Sequence, residues 1–189
     1  MKLQPPLQTA PATVSDSWWR NKRPVLAFTL RFSLLMALFY ALSLLPWADR
    51  VAFPAYMRAN AAAGSLVLHT LGEDTRVDGI SIRSERFAVN IKRGCDAVEP
   101  SWLLAACIVA FPAAAVAKLW GCLAGVALLQ VLNIVRIVSL FMVGQRWPRL
   151  FETLHLEVWP MVFIAAAIAL WLAWLRRLRH VSPQLHDSK

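Results

Sequence analysis

Three residues of this chain have the types and settings needed to form and break a thioester. Cys95 stands in Lys92-Arg93-Gly94-Cys95-Asp96-Ala97-Val98-Glu99-Pro100. Gly94 permits a sharp turn and Pro100 suits the first turn of a helix, so the thiol falls just before or within a helix start. Main-chain amides there, with Lys92 and Arg93 close by, favour the thiolate that a nucleophilic cysteine needs. Asp96 and Glu99 oppose it unless they are paired, and a small residue filling an interface is the plainer reading. Cys107 and Cys122 lie in apolar runs, where a thiol is a small hydrophobe. The chain has no CxxC pair, and Cys95 and Cys107 on one helix would be roughly 18 Å apart. A dithiol redox carrier and a disulfide framework are both disfavoured.

Arg136 is the strongest single signal. It sits in Gln130-Val131-Leu132-Asn133-Ile134-Val135-Arg136-Ile137-Val138-Ser139, with roughly 12 Å of helix between it and Gly144. An arginine at such depth costs at least ~2.5 kcal/mol unless it faces protein or water. Asn133, one turn earlier, makes a polar patch with it. A buried ion pair of Arg136 with Glu99 or Glu157 is the structural explanation, and it can coexist with a functional one. His155, in Phe151-Glu152-Thr153-Leu154-His155-Leu156-Glu157, can exchange protons near neutrality, although a histidine at a helix end is often only a polar residue. Nucleophile, proton shuttle and fixed cation together are the parts of acyl-transfer chemistry, with Asn133 and Glu99 as supporting residues. One cysteine and one histidine are too few ligands for zinc, so neither a metal nor a cofactor is expected. His69, His180 and His186 are weaker candidates.

The elements that must position these residues follow from composition. Hydrophobic residues make up 58% of the 189 and charged residues 16%, against about 25% charged in an average soluble domain. Mean hydropathy is +0.51, and there are nine tryptophans. Such a chain cannot cover its surface with polar groups, which excludes a soluble globule. The net charge of +9 sits at the edges of apolar runs, as orientation in a bilayer requires, and forms no long basic tract for nucleic acid.

The reading is an all-α polytopic membrane protein with about four transmembrane helices, an interfacial helix and a small extracytoplasmic β-hairpin. Residues 1–23 form a cytoplasmic tail with no cleavage site after the next apolar run. A single membrane-embedded domain covers 24–175, with spans at 24–47, 95–117, 119–144 and 158–175, and an extracytoplasmic segment at 48–94. Residues 176–189 are a basic cytoplasmic tail. Arg31, early in the first span, reads as snorkelling to the headgroups. Basic residues divide evenly between the two sides, but those beside span ends favour both termini inside. Val51–Gly72 is more polar than the spans. Making it a fifth would put Arg20-Lys22-Arg23 and Arg176-Arg177-Arg179 on opposite sides, so it reads as a surface-lying or re-entrant helix. Trp18, Trp19, Trp120, Trp171 and Trp174 would mark the inner interface, with Trp47, Trp102, Trp147 and Trp159 marking the outer. Within 75–92, Phe87, Val89 and Ile91 alternate with polar or small residues, and Ile80 and Ile82 precede a turn near Ser84-Glu85, which predicts a hairpin packed on the membrane domain. This topology brings Cys95, Arg136 and His155 to one leaflet.

Gly94-Cys95, Asn133-x-x-Arg136 and His155 before the last span, in that order, resemble the exosortase/archaeosortase family of membrane cysteine transpeptidases over about residues 90–175. The chain is most similar to the short members called exosortase H. The resemblance implies that Cys95 attacks a peptide bond in a C-terminal sorting signal and forms a thioester. His155 would act as general acid/base and Arg136 would stabilise the oxyanion or the thiolate. It also implies membrane-anchored exported proteins as substrates, an Ile-Pro-Thr-Leu-like motif followed by a transmembrane helix and a basic cluster, and transfer of the acyl group to an acceptor or to water. The cell inner membrane, with the active site on its extracytoplasmic side, is the expected location. The family's frequent Cys-x-Gly is here Cys95-Asp96-Ala97, and the chain is shorter than the eight-span members. The rival readings are a non-enzymatic assembly or export subunit, with Arg136 in a structural ion pair, and a small transporter in which Arg136 binds an anion.

Overall fold

The computed structural model describes residues 14–94 and 96–181. Cys95 lies outside the described residues, as do the two ends of the chain. Helix α1, Val14–Ser43, is followed by a π-helical turn, Ala48–Ala52 (π1), and by α2, Phe53–Thr70. Strands β1 (Arg76–Asp78), β2 (Ser81–Arg83) and β3 (Ala88–Asn90) come next. Then follow α3 (Val98–Ala110), α4 (Ala115–Arg146), α5 (Pro148–Thr153), a second π-helical turn at Leu154–Val158 (π2) and α6 (Trp159–Val181).

Among the described residues, three segments are long and apolar enough to cross a membrane: Lys22–Ser43, Ala115–Arg146 and Pro148–Arg179. Their exposed faces carry large apolar side chains, among them Leu30, Leu34, Leu123, Val131, Ile164 and Ile168. In a bilayer such faces meet lipid tails, so the chain is a multi-pass membrane protein. The expected span at 95–117 is a 13-residue helix, α3, about 20 Å long and short of the ~30 Å hydrocarbon core. Two local signals cut it. Pro112 drives Phe111 out of the helical region to ψ 141°, and a left-handed residue at Ala97 fixes the start. Lys118 Nζ donates to the carbonyl of Val109 at 2.8 Å, placing a cation on the C-terminal end of α3 where the helix dipole favours it.

The predicted hairpin is present with one strand more than expected. β2 and β3 pair antiparallel with Ile82 opposite Val89, and the turn closes through Ser84 N donating to the Phe87 carbonyl at 2.8 Å. β1 adds to the other side of β2 with Val77 opposite Ile82, through a tight turn in which Gly79 takes φ +61°. Packing of the sheet on the membrane helices is as expected. Ile82 and Ile91 join Met57, Ala61 and Leu68 of α2 and Ile137, Val138 and Phe141 of α4 in one buried cluster.

α2 is the polar stretch Val51–Gly72 of the sequence, and it does not qualify as a span by composition. It crosses close to α4 at Gly64, where an added Cβ would come within 2.9 Å of Ile137. His69 lies against the main chain of Thr75, its Nε2 2.7 Å from the carbonyl oxygen, so it ties down the loop that leads to the sheet. A second cluster joins Ala97, Leu104, Ile108, Leu129, Phe163 and Trp174 between α3, α4 and α6. Two tryptophans expected at interfaces also pack against neighbouring helices. Trp174 is 8% exposed, donates to the Ala117 carbonyl at 3.0 Å and lies over Gly121, which leaves no room for a Cβ. Trp102 donates to the Leu35 carbonyl at 3.1 Å and stacks on Phe39 of α1.

Candidate active site

Arg136 is 4% exposed on α4, where the surrounding sequence is apolar and only tertiary partners can offset burial of its charge. Those partners come from both neighbouring parts of the expected site. One terminal nitrogen donates to the carbonyl of Gly94 at 3.4 Å, and the other donates to the carbonyl of His155 at 3.5 Å. The guanidinium carbon lies 5.6 Å from the centre of the Phe163 ring, within cation–π range. A single planar fork thus joins the loop that ends at Cys95 to the helical segment that carries His155.

Glu99 and Glu157 do not supply this anchorage. Glu99 stands exposed in the first turn of α3 and accepts a hydrogen bond from Tyr40 Oη of α1; Glu157 is exposed on π2. Glu99 thereby links α3 to α1. Arg93, expected to favour a thiolate, is engaged elsewhere: it pairs with Asp49 of π1 at 3.2 Å, and its guanidinium carbon sits 4.1 Å from the centre of the Phe53 ring.

His155 is half-buried on π2. A π-turn inserts one residue into a helix and redirects the side chains around it, which is why such turns recur at functional sites. Its ring lies 5.5 Å from that of Phe151, and Phe151 in turn meets Phe87 at the end of the sheet, 5.9 Å between centres.

Asn133 is fully buried, and its amide donates to Asn60 Oδ1 of α2 at 3.0 Å. Asn60 donates to the carbonyl of Tyr56 at 3.0 Å, and Tyr56 Oη donates to the carbonyl of Asp96 at 2.9 Å. This chain of hydrogen bonds runs from α4 through α2 to the residue after Cys95. Tyr56 and Asn60, inconspicuous in the sequence, connect Asn133 to the backbone of Asp96. Their signal was polar side chains four apart on a stretch too polar to be a lipid-facing span. Asp96 is 3% exposed and accepts from the Val98 amide at 3.3 Å. Burial pushes its carboxyl pKa up.

The departure from Cys-x-Gly has a structural counterpart. Ala97 adopts φ +56°, ψ +12°, the left-handed region where a glycine would sit without strain. The backbone shape survives with alanine at a local cost of about 1–2 kcal/mol, partly offset by burial of its methyl, worth ~0.8 kcal/mol. Ala97→Gly should therefore leave the thermal midpoint nearly unchanged or slightly higher. Ala97→Val, β-branched at positive φ, should lower stability by roughly 2 kcal/mol; thermal unfolding in detergent compares the two. A valine variant as stable as the parent would contradict this account of the turn.

A family model described as transmembrane exosortase matches residues 17–172. The match covers most of the chain, including both segments gripped by Arg136, and the chain belongs to the transmembrane exosortase family. No curated protein and no solved structure matches it. No cluster of potential metal ligands occurs among the described residues.

Proposed function

We propose that this protein is a membrane cysteine protease/transpeptidase that cuts the C-terminal sorting signal of membrane-anchored exported proteins and passes them to an acceptor. The observation that carries the reading is the Arg136 fork, which ties the carbonyl before Cys95 to the carbonyl of His155. A guanidinium so placed lies beside the main chain of Gly94, the residue before Cys95, and of His155 in a water-poor setting, where a fixed cation is worth most to a developing oxyanion or thiolate.

In the proposed cycle, Cys95 Sγ attacks the scissile carbonyl and His155 delivers a proton to the leaving amine, which departs with the substrate's membrane anchor. An acceptor nucleophile, or water, then gives up its proton to His155 and attacks the thioester carbonyl, releasing the Cys95 thiolate. Asn133 acts indirectly, through Asn60 and Tyr56, on the backbone that follows Cys95. The extracytoplasmic side of the cell inner membrane is the location that suits this reaction, and an Ile-Pro-Thr-Leu-like motif is the signal to try first.

The test is intact-mass analysis of a candidate substrate co-expressed with the wild-type protein or with Cys95→Ala. A shortened substrate should appear only with wild type, its mass locating the cut and any attached acceptor. Equal processing by both proteins would remove Cys95 from the reaction.

A further inference from the structure

We propose that the open edge of β3 is the docking strand for the substrate, and that the occupant is an extended peptide segment flanking the scissile bond. This inference rests on the peptidase reading above and adds to it how the substrate main chain is held.

β3 is an outer strand of the sheet, whose order is β1-β2-β3. Its register fixes which groups face outward. The bonds from Ser84 N to the Phe87 carbonyl and from Ile91 N to the Ile80 carbonyl mark the residues of this strand that face β2. Residues facing a partner alternate in an antiparallel ladder, so Phe87, Val89 and Ile91 are spent on β2. Ala88 and Asn90 turn their N–H and C=O groups to the open side.

That side is a groove of about 350 Å³. Ala88, Asn90 and Lys92 line its strand wall, and Phe151 and His155 line the helical wall across from it. Two donor–acceptor pairs two residues apart on an open edge are complemented by another extended main chain, which is the basis of recognition by strand addition. A chain lying there passes the imidazole of His155, and β3 itself leads through 91–94 directly to Cys95. The wall is rigid because Phe87 packs over Gly144, where a Cβ would come within 2.2 Å of its ring. A proline in the added strand fits at a position whose nitrogen points away from β3, since only alternate residues need an N–H.

The test reads binding apart from chemistry. A fluorescent synthetic peptide carrying an Ile-Pro-Thr-Leu motif and its upstream residues is titrated into purified Cys95→Ala protein in nanodiscs, with and without Asn90→Pro. Proline removes the outward N–H of residue 90 and leaves the ladder to β2 intact. Peptide affinity should fall about tenfold, the equivalent of roughly 1.4 kcal/mol for one main-chain hydrogen bond, while Asn90→Ala should bind as the parent does. Unchanged affinity in Asn90→Pro, or no binding to the parent, overturns the inference.

If Asn90→Pro does not fold, backbone-ester peptides replace it: one of a series with successive amide-to-ester changes should bind the parent about tenfold more weakly. Equal binding of the whole series would refute strand addition. Cleavage by the Cys95-containing protein is measured in parallel. Edge-dependent binding without cleavage sinks the peptidase reading alone, whereas cleavage indifferent to the edge variant and the esters sinks the docking strand alone.

Discussion

Arg136→Lys is expected to lower substrate processing by about 100-fold, the scale seen when one preorganised oxyanion donor is lost. The guanidinium reaches two carbonyls, of Gly94 and His155, with two nitrogens held in one plane. A lysine keeps the positive charge but offers a single nitrogen on a flexible stem, and it cannot reproduce the fork. Because a cation remains at the buried position, the fold should be kept, and thermal unfolding checks this separately. The loss should fall mainly on kcat, since the fork is argued to act on charge that develops during reaction. Wild-type turnover by a folded lysine variant would remove Arg136 from transition-state stabilisation.

His155→Ala is expected to lower processing by about 1,000-fold, within the range for removal of a general acid/base. The substitution is informative because the hydrogen bond from Arg136 goes to the main-chain carbonyl of residue 155. Alanine keeps that anchor, so the loss reports on the imidazole. Retained cleavage with an unchanged pH profile would exclude His155 from proton transfer.

Arg136 and Asn133 were legible because polar side chains within a long apolar helix have few explanations other than buried partners. The identity of those partners was not legible. Two main-chain carbonyls leave no trace in side-chain pattern, whereas Glu99 and Glu157 stood out by charge alone. The role of α2 was half visible. Its polarity argued against lipid on all sides, but Tyr56 and Asn60 acquire meaning only once α2 lies between α4 and the Asp96 backbone. α3 came out shorter than the apolar run because Pro112 and the left-handed turn at Ala97 outweigh hydropathy, and a bilayer-length estimate counts only apolar residues. β1 escaped notice because Arg76-Val77-Asp78 is too short to show alternation; Gly79, with its positive φ, was its one local mark. The helix contacts of Trp102 and Trp174 were not legible from position. A glycine or a main-chain carbonyl on a neighbouring helix can engage an indole, and sequence order does not reveal the neighbour.

A covalent acyl-enzyme on Cys95 should form during turnover, and rapid-quench mass analysis of the protein after mixing with a cleavable peptide detects it. The expected result is a mass increase equal to the acyl portion of the peptide, mapped to the fragment containing Cys95, removed by hydroxylamine and missing in Cys95→Ala. Cleavage that proceeds with no such adduct, or an adduct borne by Cys107 or Cys122, would contradict it.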